Sequence, residues 1–103
     1  MTRYPLVHPF RPSLWAQVLP ELDDAAAGVA RQQGGTVSSS RTTTVAGRRA
    51  RTYDLRYHHE GKDLVERITF LLRGNTEYYL LCRYEAGGDT DACDRLVATF
   101  TLD

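Results

Sequence analysis

With 103 residues the chain has room for one domain and one core, with nothing left for a second. Its 42% hydrophobic and 25% charged residues match an ordinary globular protein and exclude wholesale disorder, and no run approaches the roughly 18 apolar residues of a membrane span. A formal net charge of zero excludes bulk electrostatics as the basis for binding nucleic acid or a membrane surface.

The charge is unevenly spread. Residues 1–56 hold eight arginines against four acids, an excess of four positive charges, and residues 57–103 hold five basic residues against nine acids, an excess of four negative ones. The first residues, Met1 to Pro12, are broken by Pro5, Pro9, Pro12 and charges, so they lack the apolar stretch of a secretory leader. The sequence as written is expected to stay in the cytoplasm. An exported or lipid-anchored origin is the alternative if a leader has been trimmed.

The whole of 1–103 reads as one domain. Residues 1–12 form an extended N-terminal arm, with an edge strand at Tyr4 to Val7 as its one regular element. Ser13 is a fair N-cap for a helix near 13–33, in which Trp15, Val18, Leu19, Leu22, Ala26 and Val29 make one apolar stripe. Pro20 either kinks this helix or starts a second, and Gly34-Gly35 ends it. From Thr36 the period changes to two, which predicts strands near 36–45, 50–58, 63–73 and 76–85. The first is Ser/Thr-rich and suits a sheet edge. Turns fall at Ala46-Gly47, at His59 to Lys62 and at Gly74-Asn75. After Gly87-Gly88, Asp89 or Thr90 caps a helix near 90–98 whose apolar face is Cys93, Leu96, Val97 and Phe100. The fold class is therefore α+β: an antiparallel four-stranded meander flanked by an N-terminal amphipathic helix and a short C-terminal helix. Trp15, Leu22, Leu55, Phe70, Leu80, Leu96 and Phe100 are the expected core.

The runs Val45-Ala46-Gly47-Arg48-Arg49-Ala50-Arg51-Thr52-Tyr53 and Ala92-Cys93-Asp94-Arg95-Leu96-Val97-Ala98-Thr99-Phe100 resemble small bacterial members of one known superfamily. It is named after the photosystem II extrinsic protein P and a Ran-binding nuclear import factor. The resemblance covers residues 13–102 and rests on the order of elements with these two motifs. It implies an α/β/α sandwich and a non-catalytic role, either docking on other proteins or that of an envelope lipoprotein, and it supplies no catalytic residue to carry over.

Among side-chain groupings, Cys82 and Cys93 both lie on apolar stripes and are expected to be neighbours between the last strand and the last helix. They are either buried thiols, as in the cytoplasm, or a disulfide, as in an exported protein. His58-His59-Glu60 are adjacent on a strand and point to opposite faces, so no metal is expected there. Arg48, Arg49, Arg51 and Arg56 interleave with Tyr53 and Tyr57 like an RNA-stacking surface, but the two tyrosines share parity with Leu55 and should be buried, which argues against nucleic acid. Ser38-Ser39-Ser40 lacks the glycine elbow of a hydrolase nucleophile. No cofactor is implied.

The first expectation is a non-enzymatic binding or protein-interaction module that uses a sheet face or edge, with a protein as partner. The second is a small-molecule binder or weak enzyme with a pocket between the sheet and the N-terminal helix, lined by Trp15, Tyr53, Tyr57, Tyr78 and Tyr84.

Overall fold

The helical stripe that starts at Trp15 forms one α-helix, α1 (Trp15–Gln32), and Pro20 lies inside it without dividing it. The computed structural model describes residues 2–101; Met1 and the last two residues of the expected domain, Leu102 and Asp103, lie outside that range. Ser13 is not the N-cap. It sits in a 3-10 turn, Pro12–Leu14, and Leu14 takes the cap position with no side-chain hydrogen bond. At the other end Gly34 adopts φ 73°, and the Gly35 and Gly34 amides donate to the Ala30 and Arg31 carbonyls at 2.8 and 3.1 Å, a glycine-based helix stop.

Gly35 is also where the chain leaves the helix against the sheet. A Cβ there would stand 2.1 Å from the Arg56 carbonyl oxygen and 2.8 Å from the Tyr57 Cβ. Gly35→Ala is therefore expected to destabilise by about 1–3 kcal/mol through overpacking against backbone that cannot rotate away. A urea midpoint within error of wild type would refute the close approach.

The sheet is built from β1 (Thr2–Phe10), β2 (Thr36–Val45), β3 (Arg48–His59) and β4 (Lys62–Glu85), all antiparallel, in the order β1-β4-β3-β2. The N-terminal arm is thus an edge strand over most of its length. Residues 63–73 and 76–85, expected as two separate strands, are joined in one continuous run, β4. Fully extended, its 24 residues would span about 80 Å, nearly twice the longest dimension of the molecule, 42 Å. The run doubles back at Gly74, whose φ is 54°. The Ala86 amide donates to the Asp63 carbonyl at 3.0 Å, and Lys62 reaches Glu85 at 3.3 Å. The outgoing arm pairs with β3 and the returning arm with β1. Gly74 itself pairs with Phe10, which keeps the chain in the sheet through the bend.

Each face of the sheet is covered by one helix. Against α1 lie Tyr53, Leu55, Ile68 and Phe70, packed on Leu22, Ala26 and Ala30. The alanines at 0% and 2% exposure let the helix approach closely, and each large apolar side chain removed from water contributes about 1.5–3 kcal/mol. On the opposite face Val45, Ala50 and Leu71 pack with Tyr78, Val97 and Phe100, the last two from or just beyond α2 (Asp91–Thr99). Trp15, Leu22, Leu55, Phe70 and Leu80 are buried as expected, whereas Leu96 and Phe100 are only half-buried. Their helix is nine residues long and buries Cys93 alone. Thr90 is its N-cap residue, but the first-turn amide of Asp91 is satisfied by the Asp89 carboxylate at 2.8 Å.

Candidate functional site

Glu66 breaks the apolar alternation of β4 and is 2% exposed, its carboxylate accepting from Arg83 Nε at 2.9 Å. The opposite face carries a longer polar chain. Asp54 accepts from Arg67 Nε at 2.8 Å, Arg41 Nη1 at 3.1 Å and Ser39 Oγ at 3.1 Å. Arg67 also reaches Asp94 on α2 at 3.5 Å, donates to the Tyr84 hydroxyl at 3.3 Å and stands over the Tyr84 ring at 5.4 Å. Beside it the hydroxyls of Thr43, Thr52 and Thr69 form a chain across three strands, 3.0 Å at each step. These contacts tie β2, β3, β4 and α2 together, so we assign them to stability.

Burial alone would raise the Asp54 carboxyl, but the hydrogen bonds and charges of Arg67 and Arg41 overcome it and hold the group below its ordinary value. A carboxylate depressed in the folded state adds stability above its unfolded value near 4, and that stability is lost as pH falls through the lower folded value. Urea unfolding at pH 6 and pH 2.5 is therefore expected to show a smaller acid loss for Asp54→Asn than for wild type. Equal losses would mean that Asp54 is not a source of acid sensitivity.

Cys82 and Cys93 are joined by a disulfide with Cα atoms 5.6 Å apart, between β4 and α2. The five expected pocket residues do not surround one space. Tyr53 and Tyr57 are buried on the α1 side, where burial and a hydrogen bond donated to Asp23 push the Tyr53 phenol up to about 12. Tyr78 packs edge-to-face on Phe100 across the sheet at 5.7 Å, and Tyr84 belongs to the Arg67 network. Trp15 alone lines a cleft among the described pockets. His58 and His59 are exposed beside the Glu60-Gly61 turn, near Asp63 and Glu60. Ser38 and Ser39 both bond to Asp54, through its backbone carbonyl and its carboxylate respectively.

The end of the sheet at the β2–β3 turn is different in character. Ala46 and Gly47 both adopt positive φ, 51° and 74°, which makes a tight two-residue hairpin and sets Val45 opposite Arg48. Two clefts flank this turn and share Arg48. One, of about 270 Å³, is lined by Phe10, Trp15, Gly47, Arg48, Arg49 and Leu72. The other, of about 380 Å³, is lined by Ala46, Arg48, Arg73, Phe100 and Thr101. Arg49 lies over the Trp15 ring at 5.5 Å, and Phe10 meets Trp15 edge-to-face at 6.4 Å. In the sequence Arg48 and Arg49 stand out only as part of the arginine run interleaved with Tyr53 and Tyr57. Their union with Phe10, Leu72 and Trp15 is not visible there, because it needs β1 beside β4 and the start of α1 over the turn.

Comparison with known protein families, with curated proteins and with solved structures returned no match to this chain.

Proposed function

We propose that the chain is a non-enzymatic binding module that engages a protein partner through the outer edge of β2. The observation that carries this reading is the contrast between the two edges of the sheet. β1 is blunted: Pro5 and Pro9 have no amide to donate, and its register breaks between Pro5 and Phe10. β2 has a bulge near Ser38 and then keeps unbroken register from Ser39 to Val45, with no proline or lysine. Its one charge, Arg41, is already engaged by Asp54. Such an edge accepts an extended segment as an added strand, with main-chain bonds for affinity and alternate side chains for specificity. Thr43, at the β2 end of the threonine chain, is placed to extend that chain to an acceptor on the incoming strand.

The presence of a helix on each face of the sheet supports the α/β/α reading, and the likeness to the photosystem and import-factor superfamily rests on the sequence motifs and the order of elements. The Cys82–Cys93 bridge supports the exported alternative for its location. Photo-crosslinking in cells from position 40 on β2, compared with position 3 on β1, tests the edge. The expected result is an adduct from position 40 onto an extended segment of another protein, lost on Thr44→Lys. Adducts from position 3 alone would overturn the assignment.

A further inference from the structure

Along the middle of the sheet the arginines are neutralised: Arg41 and Arg67 by Asp54, Arg51 by Asp23, Arg83 by Glu66. At the β2–β3 end they are not. Among the described residues no carboxylate lies within ion-pair distance of Arg48, Arg49 or Arg73. Glu77 on the returning arm of β4 is raised by burial and then by Glu21, with no arginine holding it down. Among the described residues these guanidiniums therefore have no carboxylate partner, and Arg48 and Arg49 border the cleft whose other walls are apolar.

We propose that the cleft between Trp15 and the β2–β3 turn binds a small aromatic carboxylate, its ring against Phe10, Trp15 and Leu72 and its carboxylate on Arg48 and Arg49. The apolar walls are in place before any ligand arrives. Trp15 is 8% exposed and meets Phe10 edge-to-face, Arg49 lies over the indole, and the two-residue turn fixes the backbone of Arg48. A guanidinium over a ring can still present forked N–H donors, which suit a flat two-oxygen acceptor. The volume of about 270 Å³ equals about nine waters' share of liquid, so the ligand is a single ring with a short acidic arm rather than a chain or a dinucleotide. An inorganic anion would satisfy the arginines but leave the three apolar walls wet, and a neutral ring would leave the arginines without a partner. The second cleft offers Arg48 and Arg73 with one ring, Phe100, and lacks the paired aromatic wall.

Trp15 is the one tryptophan of the chain, so its emission and its indole N–H resonance report on this cleft alone. Titration with 3-phenylpropionate is expected to shift both and to saturate. The amide 3-phenylpropionamide and inorganic phosphate are each expected to bind at least tenfold more weakly. Calorimetry with Arg48→Gln is expected to show about a tenfold loss, the worth of one charge-assisted hydrogen bond. Arg56→Gln, an exposed arginine of β3 outside the cleft, should match wild type. Equal binding of acid and amide, equal binding of phosphate, tighter binding of a short single-stranded oligonucleotide, or no response of Trp15 at millimolar acid would each overturn the proposal. Crosslinking at β2 reads a different surface, so the two proposals fail separately.

Discussion

Truncating Phe70 to alanine is expected to cost about 3–5 kcal/mol, the range for a buried phenylalanine whose neighbours cannot close the gap. Phe70 is 5% exposed, in the middle of the cluster that joins α1 to the sheet. Its ring meets Tyr53 at 5.9 Å and Tyr79 at 5.3 Å, both edge-to-face, so three strand segments lose a common contact at once. Tyr53 is not free to follow. It is held through its hydroxyl to Asp23, and β3 and β4 are in fixed register at Arg51 and Phe70. A domain of this size has a total stability of about 5–10 kcal/mol, so Phe70→Ala should leave it close to unfolded at room temperature. A thermal melt with little loss would put Phe70 outside the core and reverse the assignment of faces along β4.

That assignment of faces was legible because two-residue periodicity needs only local information. The parity of Tyr53, Leu55 and Tyr57, and of Ile68, Phe70 and Leu72, places each on the α1 side. Glu66 broke the pattern in the sequence, and its partner Arg83 lies across the fold of β4, where only the pairing of the two arms reveals it. Helix ends were less legible. Ser13 has the chemistry of a cap, yet the 3-10 turn at Pro12–Leu14 moves the start of α1 two residues on. Half-burial of Leu96 and Phe100 has a similar origin: a nine-residue helix with one strong anchor covers less of the sheet than its stripe implies. The candidate cleft was the least legible feature. Its walls come from β1, α1, the β2–β3 turn and β4, and no periodicity links Phe10 to Leu72. The tyrosines drew attention by number, but strand parity sends Tyr78 and Tyr84 to one face and Tyr53 and Tyr57 to the other.

Loss of the Cys82–Cys93 bridge is expected to lower stability by about 3 kcal/mol, the usual effect of freeing a loop of this size in the unfolded chain. The two positions are eleven residues apart, and the bridge ties α2 covalently to β4. Without it the helix retains Cys93 as its one buried residue, half-buried Leu96 and Val97, and the 3.5 Å contact of Arg67 with Asp94. Reduction should therefore act locally before it acts globally. Amide exchange is expected to rise first across Asp91–Thr99, then at Tyr78 and Leu80, while the β3–β4 pairing stays protected. Cys82→Ser with Cys93→Ser should reproduce the effect, since both remove the same cross-link and leave the same helix. A double serine variant with an unchanged urea midpoint would show that packing, not the bridge, holds α2. The state of the pair in the cell also bears on where the protein works. Alkylation under non-reducing denaturation counts two free thiols if it resides in a reducing compartment and none if it is exported.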